Sequence, residues 1–347
     1  MSTLTADARI RRAALPRWAL AASIVVTFGV VAALFAATPL AGRADYIVTA
    51  AVASMAVLGA VSWAREGRRR AMDRLAASGI SLALLLMLLP LVFTIGYTIK
   101  RGLDRISWSF LTHSMSGIGP LSPGGGVYHA IIGTVEQVGI ASVISVPLGL
   151  LVAIYVTEYG TGWLAFGVRF IVDVMTGIPS IVAGLFVLSF WVLALNQGFS
   201  GFAGSLALAI IELPIVVRSA EEMIRLVPRQ LREASYALGV PKWKTIVRIV
   251  LPTASTGIVT GAMLAIARVT GETAPVLLVI GNSDFVNNNP FSGTQSSLAT
   301  YIFQGAGSSS DFNVARAWGA ALTLIAIVVI LYAAARLLTR RNGLVGR

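Results

Sequence analysis

Eight stretches of this chain run for about 20 residues or more almost without charge. They lie near 18–37, 46–64, 76–98, 129–157, 166–195, 202–222, 253–281 and 313–335. A helix needs about 20 apolar residues to cross a hydrocarbon core of roughly 30 Å. The stretches are too long and continuous for soluble amphipathic helices, and none alternates with the period of two that a membrane strand requires. The expected fold is therefore all-α, a polytopic transmembrane helical bundle of eight spans. Composition agrees: 56% of the residues are hydrophobic and 12% charged, where a soluble domain carries about 25% charged residues.

The distribution of Lys and Arg sets the expected orientation. Four precede Trp18, five lie at 65–74, Arg169 stands before the fifth span, seven lie at 218–248 and four follow from Arg336. The alternate loops hold only Arg43, Lys100, Arg101, Arg105 and Arg316. Basic residues near a span stay in the cytoplasm. The bias of 21 against 5 thus predicts a multi-pass plasma (inner) membrane protein with both termini cytoplasmic. The same bias accounts for the net charge of +12 without nucleic acid as a partner. The first apolar run, at about 20 residues, exceeds the 7–15 of a signal peptide and reads as a span.

With no cysteine and two histidines, His113 and His129, the chain offers no disulfide framework and no metal site. Residues 1–74 read as an N-terminal transmembrane hairpin with a basic cytoplasmic linker, and 75–347 as a six-span core. The outer segments 99–128 and 282–312 are rich in Pro, Gly, Ser and Asn and read as irregular loops. Pro147, Pro179, Pro214 and Pro275 fall inside spans, with Gly149, Gly177 and Gly271 near three of them. A proline removes one donor and displaces the carbonyl four residues back. Pro179 and Pro275 are thus expected to free the carbonyls of Met175 and Gly271. Four broken spans together point to a translocation pathway, since loosened backbone must face neighbouring helices or a wet cavity.

The cytoplasmic segment from Pro228 reads PRQLREASYALGVPKWKTIVRIVLP. Glu233 is expected to open a short helix that Gly239 stops. Pro241 starts a second helix running towards Leu251 and Pro252. Small residues at Ala234, Ser235 and Ala237 allow close docking on another surface, while Arg229, Arg232, Lys242 and Lys244 keep the helix out of lipid. Its partner should be soluble.

The string Glu233-Ala234-Ser235, then Gly239, Ile249 and Leu251-Pro252 resembles the coupling signature of permeases in type I ABC importers, with Ser235 in place of the commoner alanine. Segments 127–159, 169–186, 213–228 and 264–278 resemble the PstA-type phosphate permeases, a likeness that covers roughly 80–340. The resemblance implies a MetI-like permease core for ATP-driven phosphate import. Its helix at 233–252 would sit in a cleft of a separate ATPase. The implied partners are a homodimer of ATP-binding subunits, a second homologous permease forming a heterodimer with this one, and an extracytoplasmic phosphate-binding protein. No G-x-x-x-x-G-K-[ST] string is present, so ATP and Mg belong to the partner, with no cofactor on this chain. The chain is expected to be a transport subunit and not an enzyme.

Arg268 and Glu272 are charges inside the seventh span, with Arg268 near the middle of the 253–281 run. A central arginine costs about 2.5–3.5 kcal/mol on insertion scales, which makes it a functional candidate by default. The spacing of four puts both groups on one helix face. A guanidinium holds two oxygens of an oxyanion, and the carboxylate accepts a phosphate hydroxyl or competes for the arginine. In the PstA-like family the matching residues are thought to belong to the phosphate path. The candidate pathway is Arg268, Glu272, Thr270, Gly271, Thr273 and Pro275, with Arg218 at the cytoplasmic end of span six. Arg169 and Asp173 read as an interfacial pair, Arg316 as an outer anchor of span eight, and Glu136 as a pathway liner or a partner of its neighbours.

Three alternatives stand beside this reading. One keeps the machine and changes the cargo to sulfate, molybdate or a phosphonate. Another is a secondary transporter. The last is a membrane-embedded transferase, which needs an acidic cluster at a membrane face, and Glu221-Glu222 is the best on offer.

Overall fold

The computed structural model describes residues 18–36 and 43–343. Both termini and residues 37–42 lie outside the described residues. The described chain is helical, with one isolated bridge between Gly281 and Gln295 in place of strands. It divides into two compact units, 1–96 and 97–347. The boundary falls inside a helix that begins at Arg68.

The first unit holds α1 (Ala19–Ala36), α2 (Arg43–Glu66) and most of α3 (Arg68–Leu103). The Tyr46 hydroxyl donates to the Phe28 carbonyl at 3.1 Å and joins α1 to α2. Gly67, with φ 93°, makes the turn into α3. Arg74 grips the nearly buried Glu66 through two bonds of 2.7 and 2.9 Å, a bidentate clamp across that turn.

The second unit continues through α4 (Trp108–Thr112), α5 (Tyr128–Ile154), α6 (Trp163–Gly177), α7 (Ser180–Val187) and α8 (Gly201–Arg225). It then runs through α9 (Arg229–Ala237), α10 (Lys242–Thr245), α11 (Leu251–Thr270), α12 (Ala274–Leu277), α13 (Leu298–Ala306) and α14 (Asp311–Gly343). Wide i→i+5 turns extend α5 through Tyr159, extend α7 through Ala194 and weld α10 to α11. Among the described residues five helices are long and apolar enough to span, and the bent pair α6–α7 makes a sixth. The first two apolar runs are α1 and α2.

Helices α5, α8 and α11 form the centre, where small residues bring backbones together. A Cβ on Gly149 of α5 would meet Val216 of α8 at 2.8 Å, and one on Gly261 of α11 would meet Ser219 of α8 at 2.6 Å. Such contacts are the usual currency of helix packing in lipid, where apolar burial alone gains little. Outward, Val143, Leu151, Phe166, Phe186 and Ile330 are exposed, as lipid-facing side chains are.

Several expectations need correction. Pro147 and Pro214 sit inside unbroken helices, so two spans break instead of four. At Pro179 the chain turns by 105° between α6 and α7. Ile178 is extended, as a residue before proline prefers, and its N–H returns to Met175, whose carbonyl is therefore not free. Pro275 lies in the first turn of α12, so it begins a helix and interrupts none. The coupling segment also differs. The first helix opens at Arg229, four residues before Glu233. The second does not stop at Pro252 but runs from Lys242 to Thr270. The wide turn at Ile246–Val250 ends two positions before Pro252, absorbing the carbonyl that its ring displaces. The outer segment read as a loop at 282–312 contains α13, started by a capping box between Ser297 and Thr300.

Candidate functional site

The long helix ends where the sequence places its charges. α11 stops at Thr270, Gly271 has φ −95° and ψ 1°, and α12 starts at Ala274. The N–H groups of Gly271 and Glu272 fold back to the carbonyls of Arg268 and Val269 at 3.3 and 3.1 Å. Arg268 is thus the third-last residue of a 29-residue helix, not its midpoint. Glu272 lies beyond the helix end, so the two do not share a helix face as their spacing suggested. Arg268 is exposed and Glu272 half-buried, and neither forms an ion pair among the described residues. Gly271 is exposed and Thr273 half-buried. Thr270 is buried, its hydroxyl donating to Ile266 at 2.7 Å. Pro275 is buried against α7, where a Cβ on Gly184 would meet the Pro275 carbonyl at 2.6 Å. The break is therefore wedged into the core, with Val276, Val279 and Ile280 packed among Val187, Ala207 and Leu208.

One intramembrane carboxylate went unnoticed in the sequence. Glu212 of α8 has no exposure. Ser142 of α5 donates to its Oε2 at 3.4 Å, and its Oε1 has no partner among the described residues. The antiparallel pairs Gly261/Ser219 and Gly257/Met223 fix the register of α11 against α8. Extended by two turns, that register puts Arg268 at the depth of Glu212. The available signal was a lone carboxylate in an apolar run, the same one that singles out Arg268. A buried oxygen without a partner costs about 1–3 kcal/mol. Glu212→Leu is therefore expected to raise thermal stability in detergent by about that amount, as a melting curve would read. A lowered midpoint would mean that Oε1 is satisfied.

Arg218 belongs to a charge network joining α6 to α8. Its guanidinium pairs with Asp173 and lies 3.2 Å from Glu221. Arg225 reaches Glu221 at 2.5 Å, and Arg169 lies 3.8 Å from it while donating to the Val156 carbonyl at 2.7 Å. Arg169 and Asp173 thus pair with α8 and not with each other. Glu221 is nearly buried under three guanidinium groups, which leaves no free acidic pair with the exposed Glu222 for transferase chemistry.

The hairpin after α8 has the expected stop. Gly239 adopts φ +75°, and its N–H returns to Tyr236 at 2.9 Å. Ser235 is buried and shares a 2.8 Å hydrogen bond with Thr245, which closes α9 onto α10. Glu233 and Ala234 are exposed on α9, as are Leu231 and Leu238. Leu251 is half-buried in the welded helix, and Pro252 is exposed.

On the opposite side Glu136 accepts from Gln295 at 2.6 Å, which makes it a tie to the 281–297 loop. Arg316, fully buried, donates to the Gly124 carbonyl at 3.0 Å, to Asn313 at 2.6 Å and to the Ser122 carbonyl. These bonds pin the 113–127 loop to α14, in keeping with an outer anchor. Arg316→Met should orphan the Ser122 carbonyl, the Gly124 carbonyl keeping Arg105 as a donor, and cost about 1–3 kcal/mol. Faster limited proteolysis at 113–127 is the expected readout, and an unchanged cleavage rate would refute the anchor. The neighbouring cavity, about 460 Å³, is lined by Asp284, Tyr301, Gln304 and Asn313. Burial pushes the Tyr301 phenol up to about 12, so its hydroxyl stays protonated.

Residues 145–343 match the family described as the binding-protein-dependent transport system inner membrane component. The sequence is 49% identical over 282 residues to the phosphate transport system permease protein PstA 1 of Mycobacterium tuberculosis (strain ATCC 25618 / H37Rv), covering 80% of this chain and 92% of that one. This chain belongs to the PstA permease family. The Mycobacterium leprae PstA is 46% identical over 262 residues, covering 75% of this chain and 86% of its own. The Yersinia pestis PstA is 38% identical over 275 residues, covering 79% and 92%. A bacterial ABC transporter involved in the import of the acidic polysaccharide alginate shares the fold, with a TM-score of 0.51 at 16% identity over 77% of this chain and 98% of its own. As a PstA-family member the chain is a membrane-embedded transport subunit, the permease component of an ABC importer.

Proposed function

We propose that this permease carries inorganic phosphate across the plasma (inner) membrane and borrows its driving force from a separate ATPase. The observation that carries the reading is the helix break at 271–273, which leaves an unpaired guanidinium and an unpaired carboxylate, Arg268 and Glu272, at the end of an apolar helix. Four relatives bearing the name of a phosphate transport permease support the substrate. Arg268 is the oxyanion contact, and Glu272 accepts the hydroxyl of a protonated phosphate. Gly271 and Thr273 supply backbone and a hydroxyl at the break, while Thr270 and Pro275 hold it in place. Arg218 gates the inner end of the path through its pairing with Asp173 and Glu221.

In the same reading α9 faces the cytoplasm, both termini are cytoplasmic, and the hairpin Glu233–Pro252 couples to a homodimeric ATP-binding subunit that holds ATP and Mg. The chain itself binds no cofactor. A second homologous permease completes the pore as a heterodimer, and an extracytoplasmic phosphate-binding protein delivers cargo at the face carrying α13 and the loop at 113–127. The N-terminal hairpin at 1–74 precedes the permease domain at 75–347. Affinity purification in mild detergent should recover an ATPase and a phosphate-binding protein. The reconstituted assembly should take up labelled phosphate only with ATP. Uptake of sulfate or molybdate in its place would reassign the cargo, and uptake without an ATPase would refute the coupling.

A further inference from the structure

Away from the Arg268 break, the network side of the molecule carries a second cavity, a half-open cleft of about 600 Å³. It is lined by Thr157, Glu158, Arg169, Arg225, Arg229, Arg232, Glu233 and Tyr236. Its walls come from the end of α5, from α6, from the end of α8 and from α9. On α9 the lining residues 229, 232, 233 and 236 fall on one helix face, opposite the exposed Leu231 and Leu238.

Four guanidinium groups meet there, and their donors outnumber the acceptors in reach. Arg232 is spent: it holds Glu158 at 2.7 Å and donates to the carbonyls of Val227 and Ile224 at 2.6 and 3.0 Å. Arg225 gives one bond to Glu221, and Arg169 one to the Val156 carbonyl. Arg229 makes no hydrogen bond among the described residues, and its side chain is exposed. Two further polar atoms at this wall lie buried without a partner, the Thr157 Oγ1 and the Arg169 Nε, whose nearest acid oxygen stands 3.8 Å away. A guanidinium presents five N–H donors in a planar fork that matches phosphate geometry. A buried donor left unmade costs about as much as the hydrogen bond it lacks.

We propose that this cavity is a second oxyanion site, built for a phosphate group held by Arg229, Arg225 and Arg169 with Thr157 beside them. Glu233 faces the same space without a partner among the described residues and accepts a hydrogen bond from the hydroxyl that a monohydrogen phosphate carries. The same forks fit the phosphodiester of an anionic lipid headgroup, which has no such hydroxyl. An occupied site ties α9 to α6 and α8, and so braces the hairpin that couples to the ATPase. The inference rests on the proposed function only for the side of the membrane that the cavity faces.

The test uses the assembled transporter in nanodiscs of phosphatidylcholine, with Arg268→Gln in place so that the proposed path is silenced. Labelled inorganic phosphate is the probe in equilibrium binding. Arg229→Gln breaks no hydrogen bond or ion pair among the described residues and should weaken binding about tenfold, the worth of one charge-assisted hydrogen bond, with Arg229→Lys restoring part of it. In a parallel arm the complex is purified with phosphatidylglycerol and read by native mass spectrometry. Retention of that lipid, lost in Arg229→Gln, with no phosphate binding would assign the site to a headgroup. Phosphate binding and lipid retention both indifferent to Arg229→Gln would overturn the site. Phosphate binding present in the transporter without Arg268→Gln, lost when Arg268→Gln is introduced and indifferent to Arg229→Gln also overturns it, while leaving the Arg268 pathway standing.

Discussion

Arg268→Gln is expected to reduce phosphate uptake about 100-fold, the scale set by losing a bidentate, charge-assisted contact of about 3 kcal/mol. Glu272→Gln should fall by a comparable factor, because an amide neither carries the carboxylate charge nor accepts a hydrogen bond from the phosphate hydroxyl with the same strength. Both side chains sit outside the packed wedge of Thr270, Pro275 and Val276. The complex should therefore assemble, with unchanged recovery of the ATPase by affinity capture. Arg268→Lys discriminates charge from geometry. It keeps the charge and loses the planar fork, and it should rank between the wild type and the glutamine variant. Near-normal uptake by both glutamine variants, with transporter at normal abundance, would remove this pair from the path.

Leu238→Asp should disconnect the permease from its ATPase. Leu238 is 83% exposed at the last turn before Gly239, on the side of α9 that turns away from the arginine cavity. Burying a leucine in a partner cleft is worth about 1.5–3 kcal/mol, and an aspartate there adds an unpaired charge to the interface. Capture of the ATPase should drop more than tenfold by that measure, and ATP-dependent uptake should fall with it. Leu238→Met, similar in volume and apolar, serves as the control and should retain both. The substitution leaves the Gly239 stop and the Ser235–Thr245 bond untouched. Full capture of the ATPase by Leu238→Asp would place the docking surface elsewhere on the hairpin.

Much of this architecture was written in local patterns. Apolar length located the helices, and Gly239 marked the end of α9 because only a left-handed residue closes it cheaply. Two of the misreadings share a cause: the deciding contact lies far off in sequence. Arg169 and Asp173 have the spacing of a helical pair, yet their partners are Glu221 and Arg218 on another helix. Glu212 looked unremarkable until Ser142 and the packed wall of α5 closed around it. Pro252 read as a terminator, but a wide turn ending two positions earlier lets the helix pass. The helix at 298–306 had a local signature in Ser297 and Thr300, overlooked within a polar segment. At the candidate site the residue types of Arg268 and Glu272 were legible. Their separation by a helix end was not, because that depends on Pro275 being packed against Gly184.

The weld of α10 to α11 has a mechanical consequence. A helix of 29 residues is a stiff strut about 43 Å long, with Trp243 at one end and Arg268 at the other. Rocking such a strut by about 5° about its centre carries each tip through about 2 Å. That is enough to make or break a hydrogen bond at the guanidinium. If the proposed coupling holds, ATPase closure felt at the hairpin arrives at Arg268 as leverage along one piece of backbone, with no relay of side chains between them.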